Sequence, residues 1–482
     1  MLDPRPVGYV IGLLVAALGV TMLVPMLVDL AEGQGHWSAF AESAIVTTLI
    51  GGLMALSCQN AVPERLSIQQ TFLLTSGVWL ALPVFGALPF VLGETDLRYV
   101  DAFFEAMSGL TTTGATVVTE LETRPAGILL WRGVLQWLGG IGIIVVAMVF
   151  LPELRVGGMQ IFRSEGFDTF GKILPRATEI SRQISVIYVA LTMACALCYL
   201  AVGMDVFDAT VHALTTVSTG GFSTYDASFG AFSGSAEYLA VVFMILAALP
   251  FVRFVQLIHG NSWSLLQDAQ VRGFLYCILA LVLGATVVLA TQHGYPLERA
   301  FRESLFNVTS IISGTGYASA NYMLWGSLMV AIFFFIGLIG GCAGSTTCSV
   351  KIFRYQILIA AIRMQVQRIR SPHGVFFPRY DGRRVQGDVL SSVISFFVFF
   401  VVTMGLLAVA LGMTGLDFTT SISGAAATLA NIGPGLGDQI GPAGNYAGLN
   451  DTAKWLLIAA MLIGRLELLA VYAIFTVRFW RA

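Results

Sequence analysis

The chain has 482 residues, of which 56% are hydrophobic and 11% are charged, with a formal net charge of −2 and a mean hydropathy of +0.81. A soluble globular domain of this length does not expose so much apolar surface. The composition therefore excludes a soluble protein and indicates an all-α polytopic membrane protein.

Ten apolar runs reach the roughly 20 residues that cross a bilayer as a helix. In chain order they are Tyr9 to Leu30, Phe40 to Cys58, Ile68 to Leu92, Ile128 to Leu151, Ile184 to Val202, Leu239 to Ile258, Phe274 to Ala290, Leu324 to Gly340, Val389 to Gly412 and Trp455 to Val477. The first run has no small-residue cleavage motif followed by a soluble domain, so we expect it to be retained as a span.

The basic residues predict the orientation of these spans. With the N-terminus in the cytoplasm, most of the 26 Lys and Arg residues fall in inside segments, as the positive-inside rule requires. The acidic residues that fall in outward segments are Asp96, Asp101, Glu105, Glu120, Glu122, Asp205, Asp208, Asp226, Glu237, Glu298, Glu303, Asp417 and Asp438. Their placement predicts an outer mouth that concentrates cations, with an ordinary solvated loop surface as the alternative.

Four related glycine-containing stretches recur between the spans. They are Leu110-Thr-Thr-Thr-Gly-Ala-Thr116, Val217-Ser-Thr-Gly-Gly-Phe-Ser223, Ser313-Gly-Thr-Gly-Tyr-Ala318 and Ala430-Asn-Ile-Gly-Pro-Gly-Leu-Gly437, aligned on Gly114, Gly220, Gly316 and Gly433. Each follows a segment too short to span a bilayer: Val100 to Leu110, Phe207 to Val217, Ala300 to Ile311 and Thr419 to Leu429. The repeated unit is therefore a spanning helix, a half-membrane helix, a polar loop and a second spanning helix.

Non-helical backbone at membrane depth must be buried in protein or line water, because lipid cannot satisfy its amides and carbonyls. Four such loops can share one axis, where glycine lets successive carbonyls turn inward and replace the hydration shell of a cation. The partially negative C-terminal ends of the short helices would favour a cation at the same place. The predicted filter residues are Thr112, Thr113, Gly114, Ser218, Thr219, Gly220, Gly314, Thr315, Gly316, Asn431, Ile432 and Gly433.

The span after the third loop contains a cluster of small and hydroxyl residues that would interrupt a helix at mid-membrane. The cluster comprises Gly337, Gly340, Gly341, Gly344, Ser345, Thr346 and Thr347. The alternative interpretation is a small-residue face for close helix packing.

Arg465 lies near the middle of the last span, where an arginine costs about 2.5 to 3.5 kcal/mol even on the lenient insertion scale. It must therefore face water, a carboxylate or carbonyls. A structural salt bridge to another helix is one alternative.

Other chemistry has little support in the sequence. Cys195 and Cys198 form a C-x-x-C motif, but on a predicted membrane helix buried packing is the better interpretation. The histidines are dispersed without metal-ligand spacing, so an enzyme is not expected: His36, His212, His259, His293 and His373. The more serious rival is a secondary transporter, a cation symporter with inverted repeats and a midplane site at broken helices.

The four loops, the interrupted helix and the Gly464-Arg465-Leu466-Glu467 segment resemble the membrane subunit of the Trk/Ktr/HKT superfamily of potassium transporters, in its bacterial Trk-type form. The resemblance implies two N-terminal helices followed by four helix–pore-loop–helix repeats in a pseudo-fourfold arrangement around one pore. It implies potassium uptake across the bacterial inner membrane, with potassium bound by the filter residues and no organic cofactor on this chain. Only the third repeat keeps the Gly-Tyr pair of a potassium-channel signature, at Gly316 and Tyr317.

The same resemblance implies a gate beneath the filter, formed by Gly340, Gly341, Gly344, Ser345, Thr346 and Thr347 together with Arg465 as an electrostatic barrier. It further implies a homodimer, symport, and docking on a cytosolic regulatory ring of Rossmann-like nucleotide-binding domains. No nucleic acid partner is expected. The loop Lys351 to Gln386 carries eight basic residues and is the expected contact for the ring, with anionic lipid head groups as the alternative partner.

The predicted organisation is an N-terminal two-helix segment (1–62), repeat 1 (63–150), a cytoplasmic linker (151–182), repeat 2 (183–260), repeat 3 with a broken second helix (261–372) and repeat 4 (373–482).

Overall fold

A computed structural model describes residues 3–61, 66–93, 95, 97–145, 177–260, 263–466 and 468–481. Within them, seven helices are long and apolar enough to cross a membrane: Arg5–Ala31, Trp37–Cys58, Ile68–Leu92, Ala126–Val145, Ser181–Ala201, Ala269–Gln292 and Gly387–Met413. These confirm seven of the predicted spans, and the chain is a multi-pass membrane protein. The end of the predicted span Ile128 to Leu151 and most of the predicted linker 151–182 lie outside the described residues.

Three other predicted spans are not continuous helices. The predicted span Leu239 to Ile258 bends by 90° between Ser235–Ala248 and Phe251–Ile258. Pro250 explains the break, because proline lacks an N–H donor and forces the preceding residue into the extended backbone that Leu249 adopts. In the predicted span Leu324 to Gly340 only Ser327–Gly337 is helical. The predicted span Trp455 to Val477 is divided among Asp451–Arg465, Leu468–Ile474 and the start of Val477–Arg481.

The first helices form a hairpin packed through glycine. Helix α1 (Arg5–Thr21) continues into α2 (Leu23–Ala31), and both pack on α3 (Trp37–Cys58). A Cβ on Gly12 would lie 2.6 Å from the backbone nitrogen of Ala55, and one on Gly51 would clash with the backbone nitrogen of Ala16. Small residues thus let the two backbones approach closely, as membrane helices commonly do.

Four units with the same order of elements follow. The first contains α4 (Ile68–Gly86) with α5 (Leu88–Leu92), the short helix α6 (Tyr99–Leu110) and α7 (Ala126–Val145). The second contains α8 (Ala177–Ala201), the short helix α9 (Val206–Val217), α10 (Ser235–Ala248) and α11 (Phe251–Ile258).

The third unit contains α12 (Ser264–Gln267), α13 (Ala269–Gln292), the short helix α14 (Leu297–Ile312) and α15 (Ser327–Gly337). After it come strands β1 (Ile339–Gly340) and β2 (Val350–Lys351), which pair in parallel, and then α16 (Ile352–Arg370). The antiparallel pair β3 (Arg379–Tyr380) and β4 (Arg383–Arg384) leads to the fourth unit.

The fourth unit contains α17 (Gly387–Met413), the short helix α18 (Phe418–Leu429), α19 (Gly437–Ile440) and α20 (Asp451–Arg465), with α21 (Leu468–Ile474) and α22 (Val477–Arg481) at the end of the chain. The predicted short segments are therefore confirmed as helices in all four units. Each is largely buried by the surrounding helices, and α6 is buried from Val100 to Leu110 without interruption. This arrangement places the four loops that follow the short helices inside the protein.

Candidate functional site: four glycine loops and the loop beneath them

The four loops leave their short helices with the same backbone geometry. The first residue with positive φ is Thr112, Thr219, Gly314 and Asn431 in the four repeats, with φ of 51°, 51°, 77° and 52°. Each of these residues donates its N–H to the carbonyl three residues earlier, at 2.9 to 3.2 Å. Two residues later in the first three repeats comes a glycine that also has positive φ: Gly114, Gly221 and Gly316.

This geometry corrects the sequence alignment of the second repeat by one residue. Gly221, with φ of 80°, is equivalent to Gly114 and Gly316, whereas Gly220 does not have positive φ. The three residues that match Thr112, Thr113 and Gly114 are therefore Thr219, Gly220 and Gly221. Ser218 belongs to the end of the short helix instead.

The four glycines of this corrected register form a closed ring. A Cβ on Gly114 would clash with the carbonyl oxygen of Gly220, and one on Gly221 would clash with that of Thr315. A Cβ on Gly316 would lie 3.0 Å from the nitrogen of Gly433, and one on Gly433 would lie 2.8 Å from the carbonyl oxygen of Gly114. Each loop thus touches the next in chain order, and the fourth touches the first.

A cavity of about 250 Å³ lies against this ring and is lined by all four glycines, Gly114, Gly221, Gly316 and Gly433. Its wall also contains residues just after the loops, such as Thr116, Ser223 and Tyr446, and the carboxylate residue Asp226. The ring is therefore reached from a polar vestibule on the side where the short helices begin.

In each repeat a polar side chain of the short helix bonds to the segment after the loop, and we call this side chain the brace of that repeat. Glu105, His212 and Asn307 each lie seven residues before the first positive-φ residue of their loop. The Glu105 carboxylate accepts from the Val117 N–H at 2.9 Å, and Asn307 Oδ1 accepts from the Ser319 N–H at 3.1 Å. His212 Nε2 lies 3.0 Å from the Ser223 hydroxyl.

The fourth repeat has Gly424 at the corresponding position and uses its neighbour as the brace. The Ser423 hydroxyl accepts from the Leu436 N–H at 2.9 Å. Sequence reasoning named Glu105 and His212 without this role, and it did not single out Asn307 or Ser423.

A buried ion pair strengthens the brace of the first repeat. Arg132 Nε donates to Glu105 Oε1 at 2.7 Å, with the two side chains 1% and 0% exposed. The same guanidinium donates to the Ser223 carbonyl at 2.7 Å and lies 4.1 Å from the centre of the Phe222 ring. Arg132 therefore ties the segment after the first loop to the segment after the second.

Further contacts join neighbouring loops. The Tyr317 hydroxyl bonds to the hydroxyls of Thr215 and Thr216 on the short helix of the second repeat. Asn431 Nδ2 donates to Thr113 Oγ1 at 3.1 Å, which links the fourth loop to the first. The Tyr446 hydroxyl donates to the Gly433 carbonyl at 2.9 Å.

Five of the thirteen acidic residues predicted to form an outer mouth that concentrates cations are paired with basic side chains. Asp101 bonds to Lys454 at 2.5 Å and to Arg98 at 3.1 Å. The other pairs are Glu105 with Arg132, Glu237 and Glu298 with Arg302, and Glu303 with Arg299. The expectation is therefore wrong for these acids, because nearby basic groups neutralise them.

The interrupted helix of the third repeat forms a loop that is held by the break in the second repeat. The Cys342 N–H donates to the Ala248 carbonyl at 3.1 Å, and the Phe251 N–H donates to the Gly344 carbonyl at 2.9 Å. Thr346 Oγ1 donates to the Ala247 carbonyl at 3.0 Å. The bend at Pro250 thus frees backbone groups that anchor the loop 341–349.

This loop lies against the ring of glycine loops. Thr219 Oγ1 donates to Thr346 Oγ1 at 3.2 Å, and the Cys348 thiol lies 3.6 Å from Thr112 Oγ1. Residues 340–347 therefore do not form the helix-packing face that was the alternative interpretation. Residues 341–347 form an irregular segment directly below two of the four loops.

Arg465 joins the same place from the last repeat. Its side chain is buried, donates to the Gly139 carbonyl at 3.0 Å and to the Cys348 thiol, and lies 5.2 Å from the centre of a ring of Trp79. None of these described partners is a carboxylate. The structure thus brings Arg465 to the end of the interrupted loop, which the sequence separates from it by more than 100 residues.

Among the described residues, no group of three or more His, Cys, Asp and Glu side chains is arranged to hold a metal ion. Cys195 is buried in the hydrophobic core, as the packing interpretation expects.

Comparison with known proteins places these features in a family context. Residues 36–480 match the family model described as TrkH, cation transport protein. The Trk system potassium uptake protein TrkI of Halomonas elongata is 41% identical over 478 residues, which are 99% of this chain and 97% of the relative. The Trk system potassium uptake protein TrkH of Escherichia coli (strain K12) is 36% identical over 483 residues, which are 99% of both chains. The crystal structure of the potassium transporter TrkH from Vibrio parahaemolyticus superposes with a TM-score of 0.92 at 33% identity over the full length of both chains.

Proposed function

The chain belongs to the TrkH family of cation transport proteins, and we propose on that premise that it takes up potassium across the bacterial inner membrane. The observation that supports this most is the closed ring of loops around Gly114, Gly221, Gly316 and Gly433. Equivalent backbone from four repeats meets there, at the C-terminal ends of four short helices.

The chemistry of the ring suits a cation that has lost its water. Carbonyl oxygens such as those of Gly220, Thr315 and Gly114 lie between adjacent loops. Backbone carbonyls can replace the hydration shell of potassium, and the negative ends of four helix dipoles lower the energy of a positive charge at their focus. The proposed filter consists of Thr112 to Gly114, Thr219 to Gly221, Gly314 to Gly316 and Asn431 to Gly433.

The proposed gate is the loop from Gly340 to Thr347 together with Arg465. A fixed positive charge about 4 Å from a permeating cation raises its energy by about 4 kcal/mol at an effective dielectric constant of about 20. The contacts of Arg465 with Cys348 and of Thr346 with Thr219 support a closed passage below the filter. Opening would require both to move aside.

We further propose that a cytosolic ring of nucleotide-binding domains controls this gate and that the chain forms a homodimer. The basic segment after the gate is the proposed contact for the ring, because it follows the loop directly. Exposed arginines there include Arg363, Arg368, Arg370, Arg379, Arg383 and Arg384. Deleting the β3–β4 hairpin should abolish regulation by the ring while leaving flux through the purified chain intact. Binding of anionic lipid alone would favour the alternative partner.

Two experiments test the transport proposal. Expression should restore growth on low potassium to a bacterium that lacks its potassium uptake systems, provided the protein is detected in the membrane. Liposomes that contain the purified chain should take up potassium in preference to sodium. Simultaneous measurement of proton or sodium entry tests whether uptake is symport.

A further inference from the structure

The Gly220-Gly221 pair is the one place where a filter loop has two consecutive glycines at the ring. Gly221 needs its positive φ of 80° and its contact with the third loop. Gly220 has neither requirement, and at the same ring position the other repeats have Thr113, Thr315 and Ile432. A separate cause must therefore exclude a side chain at position 220.

That cause is Gln136, a fully buried residue on the helix that follows the first loop. A Cβ on Gly220 would clash with the side-chain amide of Gln136. The space that a threonine or isoleucine occupies in the other loops is thus taken by a side chain from the neighbouring repeat.

The amide of Gln136 bonds to backbone on both sides of Gly221. Gln136 Nε2 donates to the Gly220 carbonyl at 2.6 Å, and Gln136 Oε1 accepts from the Phe222 N–H at 3.0 Å. The same Gly220 carbonyl oxygen lies at the ring, where it would clash with a Cβ on Gly114.

Within the part of the chain that the structure describes, the other carbonyls at this level have no such partner. Among the described residues, the carbonyls of Thr113, Thr315 and Ile432 accept no side-chain hydrogen bond. At this level the carbonyl of the second loop is therefore held by a side-chain amide from another repeat, whereas the first and third loops carry threonine hydroxyls.

Thr113 and Thr315 show what a side chain does in this position. Thr113 Oγ1 lies 2.7 Å from Thr111 Oγ1, and Thr315 Oγ1 lies 2.8 Å from Ser313 Oγ. The first and third loops are thus each stiffened by a hydroxyl pair two residues apart. In the second loop the residue two before Gly220 is Ser218, whose hydroxyl donates to the Thr215 carbonyl at 3.3 Å, as the Ser313 hydroxyl donates to the Ser310 carbonyl at 3.1 Å.

We propose that Gln136 is a positioning residue for ion selectivity, and that Gln136 and Gly220 form a coupled pair that replaces the hydroxyl pair of the first and third loops. This inference rests on the proposed function of the ring as a potassium filter. By holding the Gly220 carbonyl through its N–H, Gln136 prevents that oxygen from closing around a smaller cation. Sodium is the cation that a loosened ring would admit.

The test uses the full-length chain in liposomes, with potassium and sodium uptake measured for each variant that is monodisperse in detergent. Gln136→Met removes both hydrogen bonds at similar length. We expect it to lower the preference for potassium over sodium by about three- to tenfold, the factor that one hydrogen bond of ordinary net strength represents. Gln256→Met is the matched control, because Gln256 is a buried glutamine that bonds to Arg253 and not to a filter loop.

The coupling between Gln136 and Gly220 is tested by removing the glutamine side chain and introducing a threonine at position 220. Gly220→Thr alone should abolish uptake or folding, because the new side chain collides with Gln136. The double variant Gln136→Ala with Gly220→Thr should recover folded, potassium-selective protein, since the introduced threonine can pair with Ser218 as its counterparts do. Non-additive recovery of this kind is what a direct contact predicts.

Three results would overturn the inference. They are a wild-type cation preference in Gln136→Met, normal uptake by Gly220→Thr alone, and a double variant no better than the worse single variant. Loss of folding in all three variants, the double variant included, counts as the third result. Failure of the proposed function is distinguishable, because then the wild-type chain itself would show no potassium-selective uptake in the same liposomes.

Discussion

Replacing Arg132 by methionine should leave a buried charge without its partner next to the filter. Glu105 is 0% exposed, and its Oε1 atom accepts from Arg132 Nε at 2.7 Å. Breaking a buried pair by removing one partner typically costs about 3 to 5 kcal/mol, because the remaining charge stays desolvated. Arg132→Met also removes the hydrogen bond to the Ser223 carbonyl, so both the first and the second loops lose support.

The double variant Glu105→Gln with Arg132→Met separates the charge effect from simple loss of packing. A glutamine can still bond to the segment at Thr116 and Val117 without carrying a charge. We therefore expect a large fall in the thermal midpoint of purified Arg132→Met and partial recovery in the double variant, measured in detergent by tryptophan fluorescence. An Arg132→Met protein as stable as wild type, with no difference from the double variant, would refute the structural role of this ion pair.

Three further outcomes are expected for the filter and the gate. Gly221→Ala should lower the preference for potassium over sodium by roughly tenfold. The reason is that a Cβ at positive φ costs about 1 to 2 kcal/mol, and at this position it also meets the Thr315 carbonyl. An unchanged preference in liposomes would show that Gly221 is not part of the ring. Arg465→Ala should raise potassium flux at least tenfold, since it removes a barrier of up to about 4 kcal/mol, and flux that stays the same or falls would assign Arg465 a purely structural role. Thr346→Val should raise flux severalfold, because it removes bonds to the Ala247 carbonyl and to Thr219 worth about 0.5 to 1.5 kcal/mol each; equal flux in Thr346→Val and wild type would show that these bonds do not hold the gate.

The architecture of four repeats was predictable from the sequence because each repeat has a local signal in its amino-acid composition. Four glycine stretches after four short apolar segments define the loops, and an arginine within a span marks a place that lipid cannot satisfy. The meeting of Arg465 with the interrupted loop follows from the same reasoning, since both need partners inside the protein. The contact between Arg465 and Cys348 agrees with that expectation.

The register of the second loop was not predictable, because two adjacent glycines are equivalent until the backbone shows which has positive φ. The glycine at position 220 is explained only by Gln136, which lies 84 residues before the carbonyl that it contacts. The Glu105–Arg132 ion pair was not predictable either, because the two side chains come from different helices whose packing the sequence does not show. The break at Leu249 and Pro250 did have a local signal, since proline inside a predicted span indicates a kink or an end.

Potassium uptake into liposomes that contain only the purified full-length chain is the most direct test of the proposed pathway. The wild-type chain should accumulate radioactive potassium above protein-free liposomes, excess unlabelled potassium should compete strongly, and equal sodium should compete weakly. In the same preparation, Gly221→Ala should show a smaller difference between the two competitors. Wild-type protein that is folded and correctly inserted, yet takes up no more potassium than empty liposomes, would contradict the assignment of the four-loop ring as a potassium pathway.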